Sequence, residues 1–407
     1  MLPLFTKPLH DLVASDVHQV VSERFPEGPA VEYKGELPAE QGRDPWYEGG
    51  KPSAYARSKI FKEVVAFANA YGGQLVLGIA ETEEKPPRAE RVVPIPRCHD
   101  LAERLRDMAR DFIDPQISRF TSTGIVTDPD GNGVVLVRVG RSHQAPHRLT
   151  SDRHCYFRRA DCAVPMDMRE IQDLTLRTVQ GTERLERLLA KRSEDFGGWY
   201  RGVGACVTAA PLWPLSVDRV FSQLVPHVRT FGINITMPRA ARTVEVLVPR
   251  APFMSERPIL RGLRRTNDHG RFPAMQEMYS DGLAEIKFWV SKGEEEPTVS
   301  PTWVLGAAAN VLWMVDRFRS FAEEPEMEYA LRVELASATR SIRLANFWPD
   351  TFDPFYEDHI VTPCILPTLS VHGRETFGEV LRLVASDLLN SAGAPAFDQE
   401  FELVLPE

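Results

Sequence analysis

The stretch from residue 60 to residue 79 restricts the possible folds of this chain more than any other. Ile60, Val64 and Ala68, flanked by Phe61 and Val65, form the i, i+4 stripe of an amphipathic helix over 55–71. Gly72-Gly73 can end that helix, because glycine takes the left-handed C-terminal backbone without a Cβ clash. The run that follows, Gln74 to Ile79 (QLVLGI), is nearly all apolar and reads as a buried strand. A helix that passes through a two-glycine turn into a buried strand must lie against a sheet, which predicts an α/β (α+β) domain.

The surrounding sequence extends the alternation. Ala30 to Leu37 places Val31, Tyr33 and Gly35 on one face of a strand and Glu32, Lys34 and Glu36 on the other. Residues 38–54 are polar and carry Pro and Gly, so they read as a loop. Leu101, Leu105, Met108 and Phe112 mark a second helix, Val134–Val139 and His154–Arg159 two further strands. Asp167 with Glu170 is a capping pair for a helix running to about Lys191. Gly197-Gly198, after the charged Lys191–Asp195 stretch, is a natural boundary between domains 1–195 and 196–407. The second region has strand-like runs at 243–249, 284–290 and 328–337 and helix-like runs at 303–319 and 375–390, an α/β domain of unknown fold.

Several function classes are disfavoured early. Residues 1–20 lack the charged, apolar and small-residue sequence of a secretory signal, so a cytoplasmic location is expected. Trp303 to Val315, the longest apolar stretch, is too short to cross a bilayer and contains Asn310, so it reads as a buried helix and no membrane partner is expected. Five Cys without C-x-x-C pairs suit reduced thiols, and Cys98, His99, Cys155 and Cys162 do not complete a tetrahedral set, so zinc is not expected. No Walker-type phosphate loop is present.

The net charge of −9 counts against a polyanionic ligand, but the charge is unevenly spread. Residues 1–195 hold 28 Lys+Arg and 30 Asp+Glu, whereas 196–407 hold 20 and 27. Residues 1–50 carry four basic and nine acidic side chains. Residues 131–160 carry Arg138, Arg141, Arg148, Arg153, Arg158 and Arg159 against the single acid Asp152. With Tyr156 and Phe157 close by, these six are the expected contacts to nucleic acid. On a regular strand Arg158 and Arg159 face opposite ways, so they cannot both meet one ligand.

Glu27, Glu32, Lys34 and Glu81 form the densest acid-bearing constellation. Three carboxylates around one point need a cation, and hard oxygen ligands favour Mg²⁺ or Mn²⁺. Such a centre polarises a phosphodiester and activates water, with Lys34 opposing the developing negative charge. Spacing alone favours a plainer reading, in which Glu32, Lys34 and Glu36 are the solvated face of an edge strand.

Five separated segments shift that balance: VEYK (31–34), FKEVVAFANAYGGQLVLGIAE (61–81), IDPQI (113–117), VVLVRVGRSHQAPHR (134–148) and HCYFRRADCAVPMDMREIQDL (154–174). In this order they resemble the Schlafen AlbA-2 domain, over about residues 20–190. The resemblance implies a mixed sheet with flanking helices that binds RNA or DNA. In nuclease-active relatives it also implies a metal-dependent endoribonuclease acting on structured RNA such as tRNA. Glu27 and Glu32 match the family's E-x4-E pattern. Ala80 and Glu81 stand where the family has two Asp, so Glu81 is the expected third catalytic and metal-binding acid. The alternative is a non-catalytic DNA-binding transcriptional regulator or a sensor component of a bacterial antiviral defence system. In either case 196–407 is expected to serve as a partner, sensor or dimerisation region.

Overall fold

The computed structural model describes residues 2–7, 9–117, 120–198, 203–213, 233–237, 242–246, 255–267, 273–290, 298–322, 327–337, 341–344, 359–393 and 401–404. The chain divides into two compact units, Met1–Thr182 and Glu183–Glu407, and the division falls inside a long helix rather than at Gly197-Gly198.

The first unit is built on a four-stranded mixed sheet. Its strands are β1 (Val31–Lys34), β2 (Gly73–Leu77), β5 (Phe120–Val126) and β6 (Gly133–Val139), in the order β1-β2-β6-β5. β1 runs parallel to β2, and the other pairs are antiparallel. A short antiparallel pair, β3 (Ile79–Glu81) and β4 (Ala89–Val92), continues from the end of β2. Both faces of the sheet are covered. Leu75, Leu77, Val135 and Val137 pack against helices α2 (Ala54–Asn69) and α3 (Cys98–Phe112). Val31, Tyr33, Val76 and Leu136 pack against Phe5 and against Val17 and Val20 of helix α1 (Ala14–Ser22). The near-continuous apolar character of QLVLGI follows from this two-sided burial.

The glycine turn after α2 is a structural device. Gly72 takes φ +77° and its N–H donates to Phe67 O at 2.9 Å. A Cβ there would sit 2.8 Å from both Arg141 N and Val139 O, so the tight approach to β6 also requires glycine. Asn69, buried at the end of α2, joins separate segments. Its Nδ2 donates to His147 O at 2.7 Å and Tyr156 O at 2.9 Å, and its Oδ1 accepts from the His147 N–H at 2.6 Å. These bonds bring the hairpin of β7 (Tyr156–Arg159) and β8 (Cys162–Pro165) against α2. Helix α4 (Met168–Gly198) follows, with the expected pair at its start: Asp167 Oδ1 accepts from Glu170 N–H and Glu170 Oε2 from Asp167 N–H, both at 2.9 Å.

The second unit carries an eight-stranded sheet, antiparallel at every pairing. Strand β9 (Val203–Pro211) lies between β13 (Ala284–Val290) and β14 (Tyr329–Ser337), with β10 (Ser255–Ile259), β11 (Gly262–Asn267) and β12 (Ala274–Tyr279) on the β13 side. Alternate residues Val203, Ala205, Val207 and Ala209 join one apolar core with helices α5 (Pro301–Ala322) and α6 (Phe377–Ser391). The opposite face of the same strands is polar. Arg192 of α4 reaches Glu285 at 2.7 Å and Glu277 at 2.5 Å, and Lys287 reaches Glu285 at 2.6 Å. The apolar 303–315 run is thus a core helix, and no described helix is long and apolar enough to cross a membrane. Of the expected strand 243–249, residues 243–246 lie in a strand and 247–249 fall outside the described residues.

The three hydrogen bonds made by Asn69 set the fold's first quantitative expectation. Asn69→Ala leaves buried backbone groups of His147 and Tyr156 without partners. It should lower stability by about 3 kcal/mol, read as a shift in the denaturant midpoint with unchanged m-value.

Candidate functional site

The alternation read from Ala30–Leu37 places Glu32 and Lys34 on the α2 side of β1, opposite Val31 and Tyr33. That side is not solvated. β7 packs across α2 and carries Arg158 over the strand, so that Glu32 is only 5% exposed and Arg158 2%. Arg158 Nη2 bonds Glu32 Oε2 at 2.6 Å, and its Nη1 bonds Glu63 Oε2 at 2.9 Å. The same Nη2 reaches Gly28 O at 3.2 Å and Val31 O at 3.3 Å, while the guanidinium lies 4.9 Å from the Phe67 ring centroid. Lys34 Nζ holds the other oxygen of Glu32 and also donates to Tyr33 O at 2.9 Å. Glu32 is therefore a buried carboxylate with a cation on each oxygen.

Glu27 and Glu81 form a second acid pair beside the first. Glu27, buried just before β1, accepts from the Tyr33 N–H at 2.6 Å through Oε1. Its carboxyl also hydrogen-bonds Glu81, which lies exposed at the end of β3. The register of β3 against β4 shifts between Ala80 and Glu81, an irregularity of the kind that re-aims a side chain. Burial, reinforced by the charge on Glu32 and by Glu81, pushes the Glu27 carboxyl up to about 8. A carboxyl raised that far holds its proton near neutral pH. Burial also raises the Glu63 carboxyl, and the surrounding acids, Glu32 foremost, outweigh burial to raise the Lys34 ammonium.

The expected trio is thus only partly assembled. Glu27 and Glu81 meet, whereas Glu32 is turned to Lys34 and Arg158. Among the described residues no group of three or more His, Cys, Asp or Glu side chains is arranged to hold a metal ion. The donor chemistry of the Glu27–Glu81 pair still fits a hard cation. Mg²⁺ keeps several waters and is commonly held by one or two carboxylates.

The arginine cluster also separates. Arg138 is 2% exposed, with Nη2 on Leu4 O at 2.8 Å and Nε on Gln74 Oε1 at 3.2 Å. Together with Arg158 it is a correction to the expected nucleic-acid contacts, because both guanidinium groups are spent inside the unit. Both lie on strands whose side chains alternate between buried layers, which a count of basic residues cannot register. Arg148, Arg153 and Arg159 are exposed, and Arg141 is half-buried with its guanidinium 5.8 Å from the Tyr71 ring centroid. Arg148 pairs with Asp114 at 2.7 Å and Arg159 pairs with Glu170, both at the surface, where such pairs exchange readily with a phosphate.

One participant, Glu63, escaped the sequence reading. It occurs in the quoted FKEVV segment but looked like an ordinary helix-face acid, i+4 from Lys59. Its place beside Lys34 comes only from packing α2 over β1. A cavity of about 230 Å³ opens here, lined by Lys34, Tyr55, Lys59 and Glu63 among others.

In comparison with known families, residues 27–167 match the model of the domain described as Schlafen, AlbA_2. No curated protein and no solved structure matches the chain.

Two outcomes follow from the buried charges. Arg158→Ala strands Glu32 and Glu63 without their guanidinium and should cost about 3–5 kcal/mol, read by chemical denaturation. Glu27 holds its proton to about 8 when folded, against 4.5 for the unreacted side chain. The folded state therefore binds more protons across that window, and the stabilisation present below 4.5 is lost as pH rises towards 8. Denaturant midpoints at about pH 5, 6.5 and 8 should fall in that order, and Glu27→Gln should flatten the trend.

Proposed function

Residues 27–167 form a Schlafen AlbA_2 domain with a nucleic-acid-related function, and from that premise we propose that the protein is a divalent-metal-dependent endoribonuclease whose acid centre is Glu27, Glu81 and Glu32 with Lys34. The observation that carries this reading is the meeting of the Glu27 and Glu81 carboxyls near the Lys34 ammonium, where burial pushes the Glu27 carboxyl up to about 8. Neighbouring acids arranged this way are poised to exchange a proton for a hard cation.

In this reading Glu27 and Glu81 would hold Mg²⁺ or Mn²⁺, which when bound would supply Lewis-acid activation of the phosphodiester and of water. Glu32, fixed by Arg158, holds Lys34 in place. The Lys34 ammonium keeps its charge and opposes the negative charge that develops on the phosphate. Exposed Arg148, Arg153 and Arg159 supply the salt-sensitive grip on the backbone. Structured RNA such as tRNA is the proposed substrate class.

One observation favours the non-catalytic reading, a DNA-binding regulator or sensor. Ala80 stands at the first of the two acid positions, and both oxygens of Glu32 are already engaged by cations. That reading expects binding that EDTA leaves unchanged and no strand scission.

The full chain incubated with tRNA, single-stranded RNA and single-stranded DNA, in Mg²⁺, Mn²⁺ or EDTA, separates the two. Metal-dependent RNA cleavage lost by at least about a hundredfold in Glu27→Gln and Lys34→Ala is the expected result. Intact RNA in every metal, with tight binding in EDTA, would overturn the nuclease. The proton on Glu27 adds a signature: Mn²⁺ affinity, measured by calorimetry, should rise about tenfold per pH unit below pH 8 as one proton is displaced.

A further inference from the structure

The cavity beside Lys34 differs in chemistry from a phosphate cradle. Its floor is apolar, from Ile60 of α2 and Leu75 of β2. Its walls carry both signs: Lys34 and Lys59 on one hand, Glu36 and Glu63 on the other. Tyr55, 37% exposed as a residue, forms part of the wall, and Lys59 Nζ lies 5.2 Å from its ring centroid. A phosphate placed deep in the cavity would meet the Glu63 carboxylate, and a hydrocarbon chain would strand the Glu63 carboxylate and the Lys34 ammonium. A flat heterocycle with donors and acceptors on its edge suits the lining. Its face stacks on an exposed aromatic ring, and its edge finds a carboxylate acceptor and ammonium donors. Glu63 commits Oε2 to Arg158, which leaves acceptor capacity on its other oxygen.

We propose that this cavity of about 230 Å³ is a base pocket, in which Tyr55 stacks one unpaired nucleobase of an RNA strand while Lys34 and Lys59 meet the adjoining phosphate. The inference deepens the nuclease reading and rests on it for direction, because Lys34 belongs both to the pocket and to the acid centre. Glu63 links the two a second time, through Arg158 to Glu32. A strand whose base is held here has its backbone led past Lys34 towards Glu27 and Glu81. The pocket therefore selects nucleotides that are already unstacked, in loops, bulges and single-stranded ends, over continuous duplex.

Fluorescence polarisation in EDTA, where no cleavage takes place, tests the pocket separately from the chemistry. The probes are a labelled single-stranded RNA, the same strand in a blunt duplex, and adenosine monophosphate as competitor. Tyr55→Ala should weaken single-strand binding about tenfold, the size of one base–aromatic stack. Tyr55→Phe should retain it, and duplex binding should change in neither variant. Tyr55 is exposed in the first turn of α2, and a thermal melt establishes that both variants are folded. Equal single-strand affinity for wild type and Tyr55→Ala overturns the base pocket. So does a Tyr55-dependent site for adenosine monophosphate that the single strand does not occupy, since the ligand is then a free nucleotide. A Mn²⁺ cleavage assay run alongside keeps the two readings apart. Cleavage with Tyr55-independent binding removes the pocket and leaves the nuclease, whereas Tyr55-dependent binding without cleavage removes the nuclease and leaves the pocket.

Discussion

The ion pair between Arg158 and Glu32 is the contact on which the first unit's functional side depends. Two nearly inaccessible charges meet at 2.6 Å through Arg158 Nη2, which also reaches the Gly28 and Val31 carbonyls, while Nη1 reaches Glu63. Burying such charges is tolerable only when each is matched, and here one arginine serves two carboxylates while Lys34 completes the balance at Glu32. The arrangement holds the β7–β8 hairpin, α2 and the start of β1 in one geometry.

Electrostatics at the neighbouring acids follow from that contact. Burial pushes the Glu27 carboxyl up, and Glu32, held beside it as a buried charge, raises it further. The acid centre thus contains one carboxylate locked by cations, Glu32, and one carboxyl pair, Glu27 with Glu81. The locked group positions Lys34, and Glu81 lies exposed at the end of β3.

Much of this was legible in the sequence, and the failures share one cause. The α2–Gly72–β2 unit, the alternation of Glu32 and Lys34 against Val31 and Tyr33, the cap at Asp167 and the opposite facings of Arg158 and Arg159 are local patterns, set by a period of 2 or 3.6 and by glycine's backbone freedom. The solvated edge strand was the wrong reading of Glu32 because β1 is an edge in the sheet but is roofed by α2 and β7. Arg138 and Arg158 were counted as surface cations because an arginine's charge is visible in a sequence and its burial is not. Their partners lie far along the chain, at Leu4 and Gln74 for one and at Glu32 and Glu63 for the other.

The amino-acid sequence by itself determined the class of the fold, the order of helices and strands in the first unit and the family of its domain, since each rests on periodicity or on a motif read along the chain. Only the tertiary structure decided which charges face each other. It separated Glu32 from the Glu27–Glu81 pair, turned two of six arginines inward and set Tyr55, Lys59 and Glu63 around a cavity at Lys34. The physical reason is that a charge's role depends on the dielectric and the partners around it, and both are properties of packing between distant segments.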